Sequence, residues 1–428
     1  MTVERTSRIR WLLIFWLFVL SAVAYLDRVN ISIAGTLLAS EFHLSKIQLG
    51  WIFSAFLAGY ALFQTPGGRL ADKLGARRVL ALAVLWWGIF SALTAVVPGG
   101  FHSALFAFMA LRFTLGAGEA VMYPASNQFV ARWIPSSERG LANGLIFCGV
   151  GVGAGFAPPL ITYIMLRHGW RISFLVCAVL GLVVGLVWYL LARNTPEEHS
   201  RVSPDELAKI KAGLPESHPA EIPKLVPWRL MLRSKEVLAI TISYFTYGYV
   251  AWIFFSWFYI YLLEAHGLNL KASAVYSMLP FIAMAICSSL GGLLSDALAK
   301  SKGPRVGRSF VAVFGMMLAA VFLIVGSRAG NINVAVVVLA GGAGALYLSQ
   351  SSFWSVTADI GGKSSGSVSG FMNMGNQFGA MITASLTPWI ASRFGWTSAF
   401  LVAASLSVLG ALAWLFVDPR KRLDTIAP

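Results

Sequence analysis

Along the 428 residues the apolar positions gather into long unbroken runs, where a soluble helix would show one apolar stripe and a half-buried strand would alternate. Twelve of these runs approach or exceed the roughly 20 residues that a helix needs to cross a hydrocarbon core: 11–33, 48–66, 79–97, 103–131, 141–166, 170–192, 237–263, 272–295, 309–327, 332–357, 366–391 and 395–417. The stretches between them are short and polar, except for 194–236, which carries several prolines and a cluster of basic residues. This pattern predicts an all-α integral membrane protein with twelve transmembrane helices. The first run has a basic start and a small-residue end, as a cleaved leader would. It is expected to stay, because its loss would leave eleven spans and break the repeat described next.

The repeat is visible in four places. "GGRLADKLGARR" at 67–78 is matched 224 residues on by "GGLLSDALAKSKGPRVGR" at 291–308, both containing GG-x-x-x-D and then a burst of basic residues. "FHLSK" at 42–46 falls opposite "HGLNL" at 266–270, "NGLIFCGVGVGAG" from Asn143 opposite "SGFMNMGNQFGAM" from Ser369, and "GWRISF" at 169–174 opposite "GWTSAF" at 395–400. Four matches in order at nearly one offset imply two homologous six-helix halves, 1–193 and 237–428, joined by a linker at 194–236. Parallel six-span repeats are a transporter architecture with the substrate site between the halves. Asp72 of the first motif is expected to cap a helix end or to pair with Arg77 or Arg78, latching the halves together. Asp296 is its counterpart, and Asp72, Arg77 and Asp296 are read as gating residues.

Composition sharpens the picture. The chain is 57% hydrophobic and 12% charged, about half the charged content of a soluble protein. Its net charge of +15 could suggest nucleic acid, but the basic residues alternate with the spans. With both termini inside, twenty-five of the 33 Lys and Arg fall on the inner side, the positive-inside bias of a cytoplasmic-type membrane. No nucleic-acid partner is expected, and the chain is read as a monomer of the inner membrane with both termini cytoplasmic. The three cysteines lie within spans and the six histidines in loops or at helix ends, so neither a disulfide nor a metal or other cofactor is expected, and no nucleophile set marks an enzyme.

Charged groups inside spans are expensive and mark function. Asp27, Arg28, Arg112 and Glu119 lie well inside, all in the first half. The offset takes Asp27, Arg28 and Glu119 to Ala251, Trp252 and Ala343, so the first half handles charge and the second handles shape and hydrogen bonding. Arg112 and Glu119, seven apart, share a helix face. Asp27 is expected to approach Arg112, and Arg28 to approach Glu119. Two acids and two bases cancel, and protonating either acid leaves a net positive site that favours an anion. Glu119 and Asp27 are therefore the candidate proton-coupling acids. Arg28 is the candidate carboxylate fork, and Arg112 organises the acids and completes the anion site. Tyr60 and Gln64 share one face of span 2. Tyr244, Tyr247, Tyr249 and Trp252 line up in span 7, Gln350, Ser351 and Ser352 in span 10, and Asn373, Asn376 and Gln377 in span 11. Tyr60, Gln64, Tyr247, Gln350 and Asn373 are chosen as substrate contacts.

"GGRLADKLGARR" resembles the signature between spans 2 and 3 of the major facilitator superfamily. "YLDRVNISIA" at 25–34, "LRFTLGAGEAVMYPA" at 111–125 and "WIPSSERGLANG" at 133–144 resemble its anion:cation symporter family, which includes galactonate, hexuronate, aldarate and phthalate permeases, sialin and vesicular glutamate transporters. That resemblance implies a proton-coupled importer of a small organic anion, with Arg28 and the Arg112–Glu119 pair binding the anion and coupling protons, and with "FMNMGNQ" at 371–377 holding substrate hydroxyls. Span 7 lacks the arginine of some vesicular glutamate transporters, which weakens a glutamate reading. Sugar acids (hexonates, hexuronates, aldarates) lead. An aromatic or dicarboxylic acid of phthalate or tartrate type, an organic-phosphate antiporter and a membrane receptor that signals without flux are the alternatives.

Overall fold

A computed structural model describes residues 7–44, 46–100, 103–214, 226–268 and 270–423. Residues 215–225 of the expected linker, Ser45 and Asn269 of the paired "FHLSK" and "HGLNL" segments, and both chain ends lie outside the described residues. The chain folds into long helices: α1 (Ile9–Glu41), α2 (Lys46–Leu74), α3 (Ala76–Ala95), α4 (Ala104–Glu119, resuming as Met122–Trp133), α5 (Arg139–His168) and α6 (Trp170–Leu191). After the linker come α7 (Lys235–Ser256, continued as Phe258–His266), α8 (Leu270–Lys302), α9 (Pro304–Gly326) and α10 (Ile332–Gly361). The stretch Ser365–Ala413 holds α11 and α12, divided at Gly395 where the backbone turns to φ +82°.

Among the described residues, ten stretches are long and apolar enough to cross a membrane. One of them, 332–384, contains all of α10 and most of α11. The second half of α2 carries the polar Gln64, Arg69, Asp72 and Lys73. Both GG-x-x-x-D motifs turn out to be helical. α2 continues to Leu74 and α8 to Lys302, so the sequence boundaries at 66 and 295 were too short. A helix that leaves the bilayer needs no apolar residues to continue, only satisfied amides.

The repeat is also written in the backbone. Gly75, Gly169, Gly303 and Gly395 all have φ between +82° and +89°, and they sit at the α2–α3, α5–α6, α8–α9 and α11–α12 corners. A single left-handed residue turns the chain from one helix into the next there, a conformation that a Cβ disfavours.

The beginning of the chain, the linker and the end of the chain share one face, called here the terminal face. The linker helix Pro204–Gly213 is capped by Ser203, and its buried Glu206 reaches back to α1. Its carboxylate accepts from the Ile9 and Arg10 amides at 3.0 and 3.2 Å and from the Arg10 guanidinium at 2.9 Å, satisfying helix-start amides that would otherwise lack partners. At the other end of the chain the Leu423 amide donates to the Ile360 carbonyl.

The two sets of helices meet along α2 against α11 and α5 against α8. Small residues allow the approach: a Cβ on Gly68 would run into the Gly366 carbonyl, and one on Gly292 into that of Gly140. Farther from the terminal face α5 leaves open space at Gly155. Outward-pointing Leu82, Leu186, Leu190, Phe310, Phe314 and Leu415 are exposed, as side chains facing lipid would be.

Candidate functional site

Between the two sets of helices, about midway along them, lies a narrow cavity. Its first wall is built by α1, α2, α4 and α5. Arg28 stands in it with its guanidinium carbon 4.6 Å from the Tyr25 ring centroid and 4.5 Å from that of Tyr60. Tyr25 is one helical turn before Arg28, which is why α1 presents both to the same side. The two rings attract the cation by their faces and confine it.

Behind Arg28 stands Glu119, buried, accepting from Arg28 Nη2 at 2.6 Å. The expected Arg28–Glu119 pair is therefore present. The expected Asp27–Arg112 pair is not: Asp27 instead takes both of its hydrogen bonds from the Ser91 hydroxyl of α3, at 3.0 and 2.9 Å. Arg112 remains its strongest charged neighbour but lies beyond ion-pair distance. It packs its guanidinium 4.9 Å over Phe56, with Nε and Nη1 unpartnered. Adjacent residues on a helix point about 100° apart. α1 therefore turns Arg28 to the cavity and Asp27 away from it, towards α3. Asp27, Arg112 and Glu119 are all set back from the cavity, and Arg112 does not stand on its wall as a substrate contact was expected to.

The opposite wall comes from α7, α10 and α11. The Tyr244 hydroxyl accepts from Gln350 Nε2 at 2.8 Å and from Trp354 Nε1 at 2.9 Å. Tyr247 stacks on Tyr244 with centroids 5.0 Å apart. Asn373 donates across the divide to Gln64 Oε1 at 3.0 Å. Of the expected contacts, Arg28, Tyr60, Tyr247, Gln350 and Asn373 line the cavity, with Asn376, Gln377 and Trp252 beside them. Gln64 reaches the site through Asn373. Tyr249 turns away, its carbonyl accepting from Thr383, and Ser352 reaches Ser295 at 3.4 Å.

Several buried polar atoms around the cavity have no partner in the protein. On the first side these are Arg28 Nε and Gln64 Nε2, both donors, with the acceptor Glu119 Oε2 behind them; on the second they are Gln350 Oε1, Asn376 Oδ1 and Gln377 Oε1, all acceptors, together with the Tyr247 hydroxyl. Buried polar groups ordinarily find partners. A ligand with an anionic end and several hydroxyls would supply them.

Three layers close the cavity from the terminal face. Tyr123 and Phe147 stack at 5.0 Å and meet Trp354 at 5.8 and 5.1 Å. One turn on, Asn127 donates to Thr357 at 3.0 Å. At the rim Arg139 pairs with Asp359 at 2.5 Å, and Arg308 with Asp296 at 2.5 Å. The two motif aspartates complete the rim. Asp72 accepts from the Gly366 and Ser367 amides at 3.0 and 2.8 Å. Asp296 accepts from the Gly140 and Leu141 amides at 2.9 and 2.7 Å. Each carboxylate caps the start of a helix across the divide, where the macrodipole favours negative charge. Arg77 has no part in this latch. It donates to the Tyr189 carbonyl at 3.0 Å and packs on that ring, within the first set of helices, because α3 carries it to the α6 side.

The sequence reading missed Ser91, Tyr25, Trp354, Arg139, Asp359 and Arg308. Tyr25 could have been found from its one-turn spacing to Arg28. Ser91 and Trp354 carry no such signal, being single polar or aromatic residues in apolar runs.

The chain matches the Major Facilitator Superfamily over residues 17–384, and again over 303–428. It is 34% identical over 405 residues to the probable sulfoacetate transporter of Cupriavidus necator, covering 94% of this chain and 92% of that one. It is 31% identical over 412 residues to the hexuronate transporter of Bacillus subtilis, covering 95% and 94%. It is 31% identical over 428 residues to the probable galactarate/D-glucarate transporter of Escherichia coli K12, also covering 95% and 94%. In fold it superposes on the proton:xylose symporter XylE with a TM-score of 0.75 at 16% identity, over 97% of this chain and 99% of that one. With two pseudo-symmetric sets of six helices, a polar cavity between them and these relatives over nearly its whole length, the chain belongs to the major facilitator superfamily of membrane transporters.

Proposed function

We propose that this protein is a proton-coupled symporter that carries a sugar-acid anion, a hexonate, hexuronate or aldarate, by alternating access. The observation that carries this reading is the segregated set of unpartnered groups around the cavity: donors at Arg28 and Gln64 facing acceptors at Gln350, Asn376 and Gln377. A carboxylate at the donors and a run of hydroxyls at the acceptors would satisfy both walls at once. The hexuronate and galactarate/glucarate transporters among the relatives favour the same class.

Coupling follows from the position of Glu119. Its carboxylate holds Arg28 Nη2 at 2.6 Å, in competition with an incoming carboxylate for the same guanidinium. A proton on Glu119 cancels its charge, frees the fork for bidentate binding and leaves a cationic cavity. Release of the anion and release of the proton are then linked through one side chain. Residues 1–193 and 237–428 are the two bodies that rock about the cavity, and the terminal face is the cytoplasmic side of an inner membrane. The basic residues concentrated on that face support this orientation.

A second reading is a small sulfonate, favoured by the Cupriavidus necator relative. A sulfonate suits Arg28 equally well, but sulfoacetate has no hydroxyls for the three amide oxygens. Purified protein in liposomes, with an acid-outside pH gradient and a panel of labelled galactonate, glucuronate, glucarate and sulfoacetate, tests both. Gradient-driven accumulation of a polyhydroxylated acid is expected. Accumulation of sulfoacetate alone would transfer the proposal to the second reading, and accumulation that ignores the pH gradient would remove proton coupling.

A further inference from the structure

A second cavity, with about 680 Å³ of empty space, opens at the terminal face, away from the central site. Lys300, Arg308, Arg420 and Arg422 line it. The one acid on its wall is Asp359, which already pairs with Arg139 at 2.5 Å. Lys300 has no ion-pair partner among the described residues. Arg308 is buried, and its Nε has no hydrogen-bond partner; the nearest Asp359 oxygen is 3.8 Å away. α9 starts on the same wall at Pro304, adding the positive end of a 23-residue helix. Arg420 already pairs with Asp418 at 2.9 Å and Arg308 with Asp296, so Lys300, the remaining Arg308 Nε and the start of α9 are the positive groups that this hollow leaves for a ligand.

We propose that this cavity binds a phosphomonoester dianion, and that its occupancy holds the terminal face shut. A phosphomonoester carries nearly two charges and three acceptor oxygens at neutral pH, enough to meet Arg308 Nε, Lys300 and helix-start amides from different directions. The link to gating lies in where the walls come from. Ser136 and Ser137 belong to the segment before α5, whereas the basic residues belong to the helices after the linker and to the end of the chain. Arg308 spans the join, donating Nη2 to the Ser136 carbonyl at 2.7 Å and Nη1 to Asp296. Opening the terminal face would pull these walls apart. A ligand that binds only the joined arrangement shifts the population towards it. The phosphomonoester could come from a lipid headgroup, the mouth being near the lipid-facing Val306 and Phe310, or from a soluble compound.

The test uses full-length protein in phosphatidylcholine nanodiscs, with glycerol 3-phosphate as the soluble probe and added phosphatidic acid as the lipid one. Two readouts are taken: binding by calorimetry or lipid-dependent thermal shift, and hydrogen exchange of the Gly140 and Leu141 amides that Asp296 holds. Binding that slows this exchange is expected, and it should weaken about tenfold in Lys300→Gln. Arg229→Gln, which removes an exposed basic residue elsewhere on the same face, should leave it unchanged. An effect of glycerol 3-phosphate supports a soluble ligand, and an effect of phosphatidic acid alone supports a headgroup. No binding of either probe, equal binding by Lys300→Gln and the parent, or binding with no change in exchange would each overturn the proposal. None of these readouts depends on the identity of the transported anion.

Discussion

Arg28 is the residue on which the cavity turns, because it is shared between a buried acid and an unfilled space. Arg28→Lys keeps the charge and loses the fork, so substrate affinity is expected to fall at least tenfold while protein yield stays near normal, as read by binding to the purified protein. Glu119→Gln imitates the protonated acid. It should bind substrate and support counterflow exchange, yet fail to concentrate substrate against a gradient; parent-like accumulation in this variant would move the coupling role to Asp27. Glu119→Ala is a different experiment, since it removes the acceptor of Arg28 Nη2 as well as the charge, and breaking a buried pair costs about 3–5 kcal/mol; its melting temperature is expected to fall below that of the glutamine variant, which keeps an acceptor. The identities of these residues were legible in the sequence because charge in an apolar run is conspicuous. Their partners were less so. Asp27 and Arg112 were expected to meet, but the 100° step along α1 turns Asp27 to Ser91, and a lone serine in an apolar helix gives no warning of such a role.

Among the helices, α2 is the least apolar and the most engaged. Its inner part carries Gln64 to the cavity, Gly68 to the crossing with α11 and Asp72 to the start of α11. Its apolar run at 48–66 marks it as a span, and the match of its GG-x-x-x-D motif to that of α8 agrees. Gly68→Leu would wedge α2 from α11 and is expected to favour the state open at the terminal face, detected as faster labelling of a cysteine placed beneath the Trp354 layer. At the opposite end of the first half, α1 is tied to α6 by Glu41, which accepts from Arg171 at 2.8 and 2.6 Å and from Trp170 at 2.8 Å. The Arg171 hydrogen bonds hold the Glu41 carboxyl below its ordinary value of 4.5, assisted by Trp170 and the Arg171 charge. A depressed acid contributes stability above its unfolded value, and that contribution is lost as pH falls through the folded one. The thermal stability of Glu41→Gln should therefore fall short of the parent at neutral pH and approach it as the pH is lowered through the depressed folded value, in melts recorded across the acid range.

For the molecule as a whole, the proposed import of an anion has to work against a compartment that is negative inside. The potential opposes it by about 2.3 kcal/mol per charge per 100 mV. One proton per monoanion removes that term, and two protons reverse it. With Glu119 alone in contact with Arg28, and Asp27 facing away from the cavity, one proton per monoanion is expected. Accumulation should then respond to a pH gradient and ignore a potassium-diffusion potential, a result that voltage-dependent uptake would contradict. The twelve-helix plan was readable from run lengths and from the repeat, both being properties of many residues at once. The closed rim was not readable, because Arg139, Arg308 and Asp359 look like ordinary basic and acidic flanks until folding brings them together. The rim also has a geometry worth following further. Asp72 reaches Gly366 and Ser367, and Asp296, 224 residues later, reaches Gly140 and Leu141, 226 residues earlier than that pair. A contact in which patch one meets patch two while the second copy of patch one meets the second copy of patch two is the signature of a two-fold homodimer. This single polypeptide therefore keeps, at its rim, the self-complementary seam of two identical subunits, while its centre has become a heterodimer in which one subunit supplies the charge and the other the amides.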